Sequence, residues 1–356
     1  MTSRLRLLAA ATSLCLVPAA WAGGPSNLDA CAGRSQASCH APGVVDKPAI
    51  TLSKGFLSAA EGQQVTTRAT KMLEVALQAP LLHKPQGMSL HPSISVDAPP
   101  AHAAKHHPAL VRSIVLARPI EVENKRSVQD KKTGAWKGRG EGPTLRLHWN
   151  DLGVFLASDA LDLSKPAQFF SAPQKVGEVQ GFPVYGVEGK EVLLISKRDA
   201  LPWRPFSVES YYQMLIAQEQ ETHSVFQKQL PSAKGAERTE LEKMNAERQA
   251  RIDALKKELA QLSPAQRQSG ACQSARPKRG DLTGLELTCA SGSTPLMVAN
   301  QDIFTRPSPK GSLQFLTITT TWGVLPKDDR MPNALGKVVR AALQDMDLKA
   351  LQAMLD

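Results

Sequence analysis

Apolar residues recur along this chain with two different periods. Between residues 51 and 79, Val65, Ala69, Met72 and Ala76 fall at steps of four, three and four, which is one face of an amphipathic helix ended by Pro80. Beyond residue 109 the period shortens to two. Leu145, Leu147 and Trp149 alternate with Arg146 and His148, and the runs LVRSIVLARPIEVEN, PTLRLHW, LGVFLAS, FPVYGV and EVLLISK share this β-rich character. They predict an antiparallel sheet of about four or five strands. LTGLELTC, PLMVAN and SLQFLTITTTW predict three further strands. The last 26 residues predict a closing helix, started by Pro332 and Asn333, with Leu335, Val338, Val339, Ala342 and Leu343 as its apolar face.

Between the two groups of strands the helical period returns. Ser207 is a candidate N-cap, and Val208, Tyr212, Leu215, Glu219, Thr222 and Phe226 alternate steps of four and three. Pro231 and Gly235 mark a break, after which Leu241, Asn245, Arg248, Ile252, Leu255, Leu259 and Leu262 repeat the seam. Residues 207–263 therefore predict a helical hairpin. Its seam is polar at Glu219, Asn245 and Arg248, as suits an arm that protrudes and meets a partner helix. Residues 23–50, rich in Gly, Ser, Ala and Pro, read as a flexible leader. Residues 80–108 hold six prolines and five histidines with no apolar period, and read as an extended linker. The expected fold class is α+β: antiparallel sheet or sheets, a protruding helical hairpin and a C-terminal helix, in one mixed domain over residues 109–356.

The N-terminus changes how the cysteines are read. Arg4 and Arg6, an apolar run from Leu7 to Val17, and Ala20 and Ala22 before Gly23 form a signal peptide over residues 1–22. The run is too short to span a bilayer, and no integral membrane span is expected elsewhere. Export to the periplasm or beyond removes Cys15 and leaves Cys31, Cys39, Cys272 and Cys289 to form disulfides. Four cysteines allow three pairings; the sequence-local one joins Cys31 to Cys39 and Cys272 to Cys289. Neither Cys272 nor Cys289 lies in a C-x-x-C pair, and seven residues separate Cys31 from Cys39 where a haem attachment has two. His102, His106 and His107 are close in sequence but sit in a proline-rich stretch that holds no rigid ligand geometry. No metal and no cofactor are expected.

Charge narrows the partners. Losing Arg4 and Arg6 from 43 basic residues, against 33 acidic, leaves a net +8. Such an exported chain is drawn to anionic envelope polymers or acidic envelope proteins; nucleic acid is the less favoured partner. The positive charge concentrates in NKRSVQDKKTGAWKGRGEG, where Lys125, Arg126, Lys131, Lys132, Lys137 and Arg139 surround Trp136. These seven residues are the anion-binding candidates, cations for phosphates and a ring for stacking. Catalytic residues are not identified: the chain holds no H-E-x-x-H, G-x-S-x-G, G-x-x-x-x-G-K-[ST] or S-x-x-K. His148, beside Trp149 on a strand, reads as a structural histidine.

EVLLISKRDALPWRPFSVESYYQMLI resembles a segment of exported bacterial proteins of uncharacterised function, in which a strand runs through a Pro-aromatic-Pro turn into a Tyr-bearing helix. The resemblance covers about a tenth of the chain and implies an envelope location, without implying an activity or site residues. The expectation is an exported envelope protein of binding or structural type, contacting another envelope component through its arm and basic surface. The alternative is a hydrolase or transferase acting on an anionic envelope polymer.

Overall fold

The computed structural model describes residues 31, 33–99, 103, 105–155, 169–187, 189–197, 201–276, 281–304, 308–325 and 334–356. The signal peptide over 1–22, the start of the leader, His102 and the Pro332-Asn333 helix start lie outside the described residues.

The chain begins with α1 (Gln36–Cys39), β1 (Ala49–Leu52), α2 (Ala59–Leu77), α3 (Pro80–His83), β2 (Met88–Asp97) and β3 (Leu110–Pro119). A small hairpin, β4 (Val128–Gln129) and β5 (Trp136–Lys137), precedes β6 (Thr144–Trp149), β7 (Phe169–Ser171), β8 (Gln174–Val179), β9 (Phe182–Val187), β10 (Lys190–Ser196) and β11 (Trp203–Pro205). Then come the long helices α4 (Val208–Gln229) and α5 (Gly235–Gln261), followed by α6 (Pro264–Gln268). Strands β12 (Cys272–Gln273), β13 (Leu285–Glu286), β14 (Thr294–Ala299) and β15 (Phe315–Thr320) lead to α7 (Ala334–Gln344) and α8 (Leu348–Ala353).

The fold is α+β. Its main sheet has eight strands in the order β1-β2-β3-β6-β15-β10-β9-β8. Every pairing in it is antiparallel except β1 with β2. It exceeds the expected four or five strands because β1, β2, β8 and β15 join β3, β6, β9 and β10. One face is covered by helices. Val65, Ala69, Met72, Leu73 and Ala76 of α2 pack with Leu335, Val338, Val339 and Leu343 of α7 and Leu348 and Leu351 of α8. Beneath them lie Ile94, Val111, Leu145, Leu147, Trp149, Leu193, Ile195, Leu316 and Ile318, the alternate residues of five strands. Helix α2 starts at Ala59 rather than residue 51 because Ser58 and Glu61 form a reciprocal cap, with Ser58 N–H donating to Glu61 Oε2 at 2.8 Å. The expected closing helix divides into two, α8 being restarted by Asp347, which accepts the Ala350 N–H at 2.8 Å.

On the opposite face a second core backs only one end of the sheet. Tyr185, Val192, Leu194 and Phe315 meet Phe155, Phe170, Trp203 and Phe304. The rings of Phe155 and Tyr185 both stand edge-on to Trp203, with centroids 4.7 and 4.9 Å away. Trp203 and Phe170 belong to a second sheet, in which β14 lies between β11 and β12 and also pairs with β7.

Two expectations are corrected. The stretch 80–108 is not an extended linker: Met88–Asp97 is a ten-residue strand inside the main sheet, paired on both sides. Pro92 hid it, since proline lacks the amide a ladder needs. Leu90 N–H donates to Val44 O, so Pro92, of the same parity, turns its nitrogen toward β1. There the register slips: Val45 faces Leu90 and Ala49 faces Ser93, four residues against three, so the missing donor falls in a bulge. The run LGVFLAS does not begin as a strand either. Asp151 Oδ1 accepts the Gly153 N–H at 3.0 Å and turns the chain into a 3-10 helix, Leu152–Phe155.

Candidate functional site

The basic loop folds as the β4–β5 hairpin, with Trp136 half-buried on β5 and its backbone, rather than its ring, engaged by the leader. Trp136 donates its N–H to Pro42 O at 2.7 Å and accepts the Val44 N–H at 3.0 Å, which fastens the leader to the hairpin. Lys137 Nζ is 2.9 Å from Asp46, and Arg126 Nη1 is 3.5 Å from Glu121. Lys125, Lys131, Lys132 and Arg139 are exposed. Asp130 shapes the turn by accepting the Lys132 N–H at 2.8 Å. Arg126 and Arg139 line a cavity of about 210 Å³ together with Glu121 and Glu141. A neighbouring cavity of about 460 Å³ is lined by Arg34, Arg126, Glu121, Glu123 and Glu141. Its walls therefore alternate in sign, which weakens any one anion contact there.

A second polar group lies where the sheet face is free of the aromatic core. Arg112 on β3 and His148 on β6 are register partners and share that face with Asp97. Arg112 Nε donates to Asp151 Oδ2 at 3.1 Å and Arg112 Nη1 stands 3.8 Å from Asp97. His148 Nδ1 is 3.4 Å from the same Asp151 oxygen, while its Nε2 is buried with no hydrogen-bond partner among the described residues. Burial acts to raise the Asp151 pKa, but His148 and Arg112 outweigh it and hold the carboxyl below its usual range. The buried His107 is pushed down by desolvation, against its bond to Pro108 O and the attraction of Asp151, and its ring lies 4.0 Å from that of Phe304.

Sequence reasoning singled out His148 but missed Arg112 and Asp151. The available signal was the sequence His148-Trp149-Asn150-Asp151 at a strand end. Asn150 is fully buried at φ 54°. Its Nδ2 donates to Ala109 O and Ser312 O, and its Oδ1 accepts the Gln314 N–H at 2.9 Å. This left-handed residue reverses the chain and aims Asp151 back at the sheet.

The third feature is the arm. Its base is buried through Val208, Tyr211, Tyr212 and Leu255 against Phe206, Ala271 and Leu296. The Tyr212 hydroxyl donates to Glu258 at 3.2 Å; burial first, then the Glu258 charge, push its pKa up to about 12. Farther out the helices are joined by the polar seam: Glu219 accepts from Arg248 at 2.7 Å and pairs with Arg251 at 2.9 Å. Asn245 Oδ1 is buried there without a hydrogen-bond partner among the described residues.

Both sequence-local disulfides are present, Cys31–Cys39 and Cys272–Cys289. Cys272 lies on β12 just after the arm, so its bond anchors the loop through Cys289 at the arm's base. Among the described residues, the one grouping of three His, Cys or acidic ligand atoms is Cys31, Cys39 and His40, and its two sulfurs are joined to each other. No helix of the described residues is long and apolar enough to cross a membrane. No protein-family model, curated protein or solved structure matches the chain.

Proposed function

We propose that this chain is an exported envelope protein of binding type, whose helical arm is its contact with another envelope component. The observation that carries the reading is the division of the arm. Its base is cemented by an aromatic and aliphatic core that reaches Leu215 and Ile252, whereas farther out the ion pairs of Glu219 with Arg248 and Arg251 join α4 to α5. Helices of 22 and 27 residues extend about 33 and 40 Å at 1.5 Å per residue. Ordering a long polar lever against solvent has an entropic cost that packing on its own body does not offset, and a partner surface would. Exposed Lys125, Lys131, Lys132 and Arg139 supply the attraction to anionic material that the net charge led us to expect.

The test is site-specific photocrosslinking in intact cells. A photoreactive residue at the exposed Val225 or Glu240 on the arm is compared with one at Lys190 on the sheet. Capture of one defined envelope component from both arm positions and not from Lys190 is the expected result. Equal capture from all three, or none from the arm, defeats the reading.

One observation favours the second reading, an enzyme acting on an anionic envelope polymer: His148 Nε2, beside Asp151 and without a hydrogen-bond partner among the described residues, with Arg112 as a cation for substrate. Its direct check is whether polymer turnover, if found, is abolished by His148→Gln.

A further inference from the structure

The two edges of the main sheet are finished differently. At β8 the ladder with β9 is broken between Lys175 and Gly177, and Lys175 pairs with Glu178; a bulge and charges are how an edge is kept from further pairing. At the other edge β1 is regular and exposed at every residue. Its side chains Ile50 and Leu52 are 47% and 44% exposed. They sit opposite Ile94 and Val96 and form the uncovered rim of the main core. A groove of about 430 Å³ runs between Ile50 and the Gln63, Thr66, Thr67 and Thr70 side of α2.

The backbone parity of β1 is fixed by Ser53, whose N–H donates to Val96 O. Residues 49 and 51 share that parity and face β2, so the N–H and C=O of Ile50 and Leu52 point outward. Among the described residues neither has a hydrogen-bond partner on that side. The open stretch is short: Trp136 already covers residues 42–44, and Pro48 offers no amide.

We infer that β1 is a homodimer seam, pairing antiparallel with β1 of a second copy about a two-fold axis at Thr51. In this register Ile50 lies opposite Leu52 of the other copy, and each such pair exchanges both of its outward hydrogen bonds. Both apolar side chains fall on the helix-covered side, so each rim is closed by the other. The α2 residues lining the groove with Ile50 are Gln63, three threonines, Lys71 and Glu74, so its two charges are of opposite sign and leave no net charge beside the seam. Charge complementarity supplies the ends. Exposed Lys47 precedes one end of β1, and Ser53 binds Asp97 at the other at 2.9 Å. Antiparallel pairing carries each Lys47 toward the Asp97 end of its partner strand.

The test uses the mature, oxidised protein in sedimentation velocity across the micromolar range, beside Ile50→Lys, Thr51→Cys and a Lys190→Cys control. Wild type is expected to dimerise with concentration and Ile50→Lys to weaken that by roughly tenfold or more, since it plants a charge in each apolar pair. Thr51 faces itself across the axis in a non-hydrogen-bonded pair, so Thr51→Cys is expected to form a covalent dimer on mild oxidation while Lys190→Cys does not. Peptide mapping confirms that the two native disulfides persist. A wild type that stays monomeric, an Ile50→Lys variant that dimerises as wild type does, or a Thr51→Cys variant that crosslinks no faster than Lys190→Cys overturns the seam.

Discussion

At the scale of single residues, the histidines have separate fates that their clustering in sequence conceals. His91 bonds Asp46 at 2.7 Å on the open sheet face, while His107 is buried on Phe304. Desolvation depresses the His107 pKa, so below the ordinary value of 6.5 the unfolded chain takes up a proton that the folded chain refuses. Its contribution is therefore fully present above pH 6.5 and is lost as pH falls through the depressed folded value. His91 is lowered as well, first by desolvation, and acts with the same sign. Only a comparison isolates His107: His107→Phe keeps a ring against Phe304 and removes the titration. Denaturant unfolding between pH 8 and pH 5 is expected to show wild type losing stability more steeply than the variant, by at most about 1.4 kcal/mol per pH unit. Parallel pH slopes for the two proteins would contradict the assignment.

At the scale of elements, the arm depends on what holds its base. The Cys272–Cys289 bond spans a sequence separation of 17, which on the chain-entropy view is worth about 3 kcal/mol. The double substitution to serine is expected to lower unfolding stability by about that amount, with the largest gain in amide exchange across residues 272–289 and the start of α4. An unchanged exchange pattern would mean that Tyr211 and Tyr212 hold the base without the bond. The arm and the bond were legible because both are local: a seam of threes and fours, and two cysteines close in sequence. Strand β2 was not, although its residues alternate, because Pro92 lacks the amide a ladder needs and only a bulge against a separate segment accommodates it. Asp151 was hidden for a related reason. Its partner Arg112 is 39 residues away, and only the strand register brings them together. The basic loop was legible as composition, but the pairing of Lys137 with Asp46 and of Trp136 with the leader depends on contacts that composition does not encode.

At the scale of the whole molecule, one helical layer joins distant parts of the chain. Helix α2 and helix α8 pack on the same sheet face, and Arg68 reaches from one to Asp356 beyond the other, with both oxygens accepting at 2.8 Å. Asp356 also accepts the Leu313 N–H at 2.6 Å, and its own N–H donates to Leu313 O at 2.8 Å, so this clasp ties α2, the segment leading into β15 and residues 354–356 together. Burial acts to raise the Asp356 pKa; the bonds from Arg68 and Leu313 outweigh it and leave it lowered. A lowered carboxyl stabilises the fold above its unfolded value of 3.8 and loses that contribution as pH falls through the folded value. Both side chains are partly exposed, so Arg68→Ala is expected to cost only about 1 kcal/mol at neutral pH. The deficit should shrink with added salt and disappear once the pH has fallen past the lowered folded value of Asp356, where wild type and variant converge. A deficit that persists in acid would place the role of Arg68 in its bond to the Met354 carbonyl, which does not titrate, rather than in the charge of Asp356.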